Sequence, residues 1–109
     1  MTTFDDRKKS FEAKYEHDQE LLFKITNRRN KLVGLWAAEL MGLKADQAEA
    51  YAKEVIISDF EKPGDQDVHD KVHKDLSGHG VDLSDHRLRK KMDELLQVAH
   101  DQIMKEAGT

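Results

Sequence analysis

The sequence predicts an all-α protein, a small four-helix bundle with a long, partly mobile N-terminal helix. Three observations carry this. Charged residues make up 37% of the 109 residues and aromatic residues 6%, with a single proline, the profile of helices with heavily solvated faces. Apolar residues recur at helical spacing in four stretches. Short connections marked by Gly, Pro or Ser separate them, as between antiparallel neighbours in a bundle. A chain of this length supports one domain with one modest core.

The first helix is predicted from Thr3 to Leu43. Thr3 can act as its N-cap, with Asp6 where a capping-box acid sits and Asp5 adding favourable charge to the first turn. At about 100° per residue, Phe4, Phe11, Tyr15, Leu22, Ile25, Leu32, Trp36 and Leu40 share one stripe. Asp18 and Arg29 interrupt it, and Asp18 marks the junction between a weak front half and a strong rear half. Gly34 costs the helix about 1 kcal/mol relative to Ala, which suggests a place where another helix approaches closely. Gly42 and Leu43 read as the stop, with Leu43 folding back on the last turn.

Asp46 with Glu49 reads as a capping pair for a second helix, whose Ala48, Tyr51, Ala52, Val55, Ile56 and Phe60 form one face. It ends at Glu61-Lys62-Pro63-Gly64. Asp65 is expected to cap a short third helix from Gln66 to about Ser77, anchored by Val68, Val72 and Leu76 and closed by Gly78 and Gly80. Ser84 is the clearest cap in the chain, with Asp85 in the first turn and Leu83 placed to staple onto Leu88. The fourth helix then shows Leu88, Met92, Leu95, Leu96, Ala99 and Ile103 on one face, to near Glu106.

Several function classes are disfavoured. With no cysteine there is neither disulfide nor thiolate chemistry. No secretory signal opens the chain, and its longest apolar stretch, Leu32 to Leu43, is interrupted by Glu39 and too short to span a bilayer, so a soluble protein is expected. The net charge of −4 is concentrated in residues 44–83, with ten acidic against five basic side chains, which gives no reason to expect nucleic-acid binding. No Gly-rich phosphate loop or nucleophile elbow is present, so no enzyme and no cofactor are expected.

Three constellations remain. His69 and His73 stand four apart, a spacing at which two imidazoles can share a metal; solvated surface histidines are the expectation, and no metal is assigned. Arg28-Arg29 and Arg87-Arg89 form basic clusters that could hold ADP or ATP near Trp36, the candidate nucleotide-binding set, unless they balance the acidic helices. In the front segment, Phe11 and Tyr15 have few apolar companions to offset the ordering of a short helix. Docking in a groove would supply them, because burying an aromatic is worth about 1.5–3 kcal/mol. The segment is therefore read as partner-binding, with Phe4, Phe11 and Tyr15 as apolar anchors and Arg7, Lys8, Lys9, Glu12 and Lys14 as charge complements.

The blocks Thr2-Thr3-Phe4-Asp5-Asp6-Arg7, Phe11-Glu12-Ala13-Lys14, Arg29-Asn30-Lys31-Leu32, Gly34-Leu35-Trp36-Ala37-Ala38, Tyr51-Ala52-Lys53-Glu54-Val55 and Val81-Asp82-Leu83-Ser84-Asp85-His86 occur in order. Together they resemble the alphaproteobacterial zeta subunit, the ATPase inhibitor of the F-type ATP synthase; Lys8-Lys9-Ser10 departs mildly from that pattern. The resemblance implies a regulatory subunit whose N-terminal helix enters the catalytic head between alpha and beta subunits, beside the central gamma shaft, and blocks ATP hydrolysis. It divides the chain into residues 1–19, an inhibitory partner-binding segment that includes Asp5 and Asp6, and residues 20–109, a four-helix anchoring domain. It also implies a cytoplasmic location, peripheral at the inner membrane through the ATP synthase and without membrane insertion. The alternative is a small ADP- or ATP-sensing helical bundle without strong inhibitory activity.

Overall fold

The computed structural model describes residues 19–61 and 65–107. They form four helices, α1 (Gln19–Leu40), α2 (Ala45–Glu61), α3 (Asp65–Gly78) and α4 (Asp85–Glu106), and no strand occurs among them. The expected all-α bundle is what the chain forms. Neighbours in sequence run antiparallel. Gly34 of α1 meets Ala52 of α2, and Tyr51 of α2 donates to Asp75 of α3. α4 closes the bundle by returning antiparallel along α1, since Lys91 lies over Trp36 near one end and Arg28 meets Glu106 near the other.

The turns follow from the residues that make them. At the end of α1, Gly42 adopts φ +76°, Leu43 N–H donates to Ala38 O at 2.9 Å, and Gly42 N–H donates to Glu39 O at 3.1 Å. This is a Schellman closure, which needs a residue free of the Cβ penalty at positive φ. The end of α3 repeats it with Gly80, whose N–H donates to Ser77 O while Val81 N–H donates to Leu76 O. Gly78, expected to help end that helix, is its last helical residue.

At the start of α2 the reciprocal cap comes from Gln47, whose side chain accepts from Lys44 N–H at 3.3 Å. The helix begins one residue before the expected Asp46, which leaves Asp46 in the first turn and Glu49 beyond reach of the cap. Ser84 caps α4 as expected: its backbone is extended and its hydroxyl accepts from Arg87 N–H at 3.2 Å. Ser84→Ala is expected to cost about 1 kcal/mol, seen as a lower urea midpoint at unchanged slope.

The core has two parts. Val33, Ala37 and Ala38 of α1 pack with Tyr51, Val55, Val68, Val72, Leu76, Leu88 and Met92, whereas Ile25 packs with Leu96, Ala99 and Ile103. The three anchors expected for α3 are fully buried. Tyr51 is buried with its hydroxyl donating to Asp75 at 2.8 Å; burial first, then that hydrogen bond, pushes its phenol above the ordinary range.

α1 departs most from expectation. Its buried residues are Ile25, Arg29, Asn30, Val33, Gly34, Ala37 and Ala38, an arc of roughly 220° at 100° per residue. The predicted stripe captured only one flank of that arc. The large apolar residues mark the side toward α4, while Gly34, Ala37 and Ala38 let α2 approach on the other.

Candidate functional site

The residues expected to bind a partner, Phe4, Asp5, Asp6, Arg7, Lys8, Lys9, Phe11, Glu12, Lys14 and Tyr15, lie outside the described residues. The bundle surface next to them in the chain is described. There Phe23 and Phe60 stack with ring centroids 5.5 Å apart, yet remain 51% and 52% exposed. Ile57 is also half exposed. Beside Phe23, a groove of about 750 Å³ runs between α1 and the end of α4, lined by Leu21, Lys24, Lys31, Ile56 and Ile103 among others. Phe60, expected on the buried face of α2, is half exposed: at 100° per residue it lies about 140° round the helix from the buried Val55, and there it stacks on Phe23, a residue absent from the predicted stripe.

The candidate nucleotide residues are distributed over separate contacts. Arg28 donates to Gln102 at 2.8 Å and grips both oxygens of Glu106 at 2.6 and 2.9 Å; that hydrogen bonding holds the Glu106 carboxyl below its usual range. Arg29 points inward. Its Nε donates to Asn30 Oδ1 at 2.7 Å and its Nη2 to Asp65 Oδ1 at 2.6 Å. Asn30 in turn donates to Asp59 at 3.0 Å.

Trp36 is half-buried with the Lys91 ammonium 5.7 Å from its ring centre. Arg89 donates to Gln66, and Arg87 is exposed near the start of α4. Because Arg28 sits against Glu106, about 25 Å along α4 from Arg89, the two clusters do not converge on one phosphate. Arg28, Arg29 and Arg89 each engage polar groups on neighbouring helices, as charge-balancing side chains do.

Two sequence readings change in physical meaning. Arg29, read as an interruption of the stripe, is among the most buried side chains and organises a polar chain through Asn30. Asp65, read as the cap of α3, is its first residue and receives the Arg29 guanidinium. The one signal was a charged residue inside an apolar stripe, with acids gathered in the following helices. His69 also differs from the solvated histidine expected, being 3% exposed within α3.

Among the described residues no helix is long and apolar enough to cross a membrane. No curated protein matches the chain. A protein solved by solution NMR is 46% identical to it with a TM-score of 0.68, the match covering 77% of this chain and 95% of that one. The family described as ATPase inhibitor subunit zeta matches residues 1–102, and so takes in the front segment together with nearly all of the bundle. By this match the chain belongs to the ATPase inhibitor subunit zeta family, a family of regulatory, non-catalytic subunits whose partner is an ATP synthase.

Proposed function

We propose that the chain is a stoichiometric brake on the F-type ATP synthase. Residues 1–19 enter the catalytic head at an alpha/beta interface beside the gamma shaft and obstruct hydrolysis, while residues 20–109 anchor them. The observation that carries this reading is the family match, which includes the aromatic-bearing front segment as well as the bundle. The mechanism is steric. A catalytic interface held around an inserted helix cannot complete its conformational cycle, and insertion favours whichever interface is open during turnover.

The partition of apolar groups supports it. The bundle buries its own core, while the half-exposed Phe23, Ile57 and Phe60 lie at the end from which residues 1–18 lead. Such a rimmed patch suits contact with a partner. Association with the synthase would hold the protein at the inner membrane without any spanning segment of its own.

The test is ATP hydrolysis by the cognate synthase with wild type and a Phe4→Ala/Phe11→Ala/Tyr15→Ala variant. Losing three aromatic anchors at about 1.5 kcal/mol or more each raises the half-inhibitory concentration at least about 1000-fold. Equal inhibition by the two proteins contradicts the assignment.

A further inference from the structure

We propose that His69 is a proton-operated clasp between α3 and the start of α4, holding Asp70 and Asp85 together as an imidazolium and letting Asp85 go when the ring is neutral. The His69 side chain is buried, and each of its ring nitrogens faces a carboxylate. Nδ1 lies 3.2 Å from Asp70 Oδ1, in hydrogen-bond contact, and Nε2 lies 3.6 Å from Asp85 Oδ1. A neutral imidazole has a single N–H, so either tautomer turns a lone pair on a carboxylate oxygen. Two acceptors so placed repel, whereas the protonated ring, with a hydrogen on each nitrogen, attracts both carboxylates. Nε2 is buried and has no hydrogen-bond partner, which leaves Asp85 as the group its N–H meets.

The surrounding charges leave this role to His69. His73 Nε2 sits 3.1 Å from Leu83 O, and a carbonyl only accepts, so that nitrogen carries a hydrogen whatever the charge of its ring. The same N–H leans on Asp85 Oδ1 at 3.5 Å. The two rings are parallel to within 9° with centroids 5.8 Å apart, so a second charge on His73 would oppose the one on His69. From α4, Arg89 donates to Gln66, which donates to the Asp70 oxygen that His69 also contacts. From α1, Arg29 is taken up by Asp65, one turn before His69. Toward α2, α3 presents Lys71 and Asp75, which meet Glu54 and Tyr51. The cation that joins Asp70 to Asp85 is then His69 itself.

Both limits of the clasp follow from these charges. The hydrogen bond from His69 first, then that from Gln66, holds the Asp70 carboxyl below its usual range. Its contribution is therefore complete above about pH 4, the ordinary carboxylate range, and is lost as pH falls below it. The imidazolium works the other way. An imidazole that gains carboxylate partners contributes fully below about pH 6.5, the ordinary histidine range, and its contribution is lost as the ring gives up its proton at higher pH. The clasp is closed in mildly acidic solution, roughly pH 4 to 6.5, and opens above. Asp85 can leave, since its side chain is 71% exposed while that of His69 is fixed by burial. Opening loosens the corner where α3 turns into α4, next to the Ser84 cap.

The test is a double-mutant cycle of His69→Gln and Asp85→Asn in the untagged full chain, measured by urea unfolding at about pH 5.5 and about pH 8. The expected coupling is about fivefold in the folding constant at the lower pH and absent at the higher. A merely structural contact between the two residues would couple them equally at both. Long-range imidazole nitrogen spectra of the wild type follow His69 without any substitution. They are expected to show hydrogen on both nitrogens at the lower pH and on Nδ1 alone at the higher, the proton leaving from the side of Asp85. Coupling that is absent at the lower pH or unchanged at the higher, or a His69 ring in the same protonation state at both, overturns the proposal.

Discussion

Arg29→Ala is expected to lower folding stability by about 3–5 kcal/mol, the usual cost of breaking a buried ion pair from one side. The Arg29 and Asp65 side chains are 1% and 9% exposed, and their 2.6 Å contact joins α1 to the first residue of α3. The same guanidinium donates to Asn30, which holds Asp59 near the end of α2. Truncation therefore leaves Asn30 Oδ1 short of a donor and opens a cavity where the largest fully buried side chain stood. Arg29→Lys restores only part of the loss, because one ammonium cannot reproduce a fork that serves two acceptors in different directions. Urea unfolding followed by Trp36 fluorescence measures it, and a loss below about 1 kcal/mol would mean the chain of polar contacts does not brace the bundle.

Gly34→Val is expected to be similarly severe, at about 3 kcal/mol, with Gly34→Ala costing about 1–2 kcal/mol. Helix propensity alone predicts the opposite sign, a gain of about 1 kcal/mol for Ala over Gly. Packing decides the outcome. A Cβ on Gly34 would meet Ala52 Cα at 2.6 Å and Ala52 Cβ at 3.1 Å, and the nearer obstacle is backbone that no rotamer change can clear. α1 and α2 must separate, loosening the contacts of Val33, Ala37 and Ala38 with Tyr51 and Val55. Because the worst contact is to Cα, Ala52→Gly rescues Gly34→Ala only in part. Thermal unfolding of the single and double variants checks both statements.

These two sites also show what was legible in the sequence. The helices were readable because their signals are local: Ser84 before Asp85, glycines at positive φ after α1 and α3, and Val68, Val72 and Leu76 at helical spacing. Gly34 was readable as a close approach, since a glycine inside a strong helix needs a packing reason. Its partner was not, because pairing with Ala52 depends on how two helices cross.

The polar interior was hidden for a related reason. An arginine in an apolar stripe looks like a fault until Asp65, distant in sequence, is brought against it. Likewise His69 and His73 are four apart in the sequence, but Asp85 comes within 3.6 Å of both only across the turn closed by Gly80. The front-segment residues were readable by pattern and by family resemblance alone.

The most direct measurement is ATP hydrolysis by the cognate F-type ATP synthase with the full chain and with a chain lacking residues 1–19. Circular dichroism first establishes that the shorter chain keeps the helical bundle. The account predicts that the full chain stops hydrolysis at a ratio near one inhibitor per enzyme, while the shorter chain leaves it running. Equal inhibition by both, or by neither, would contradict it.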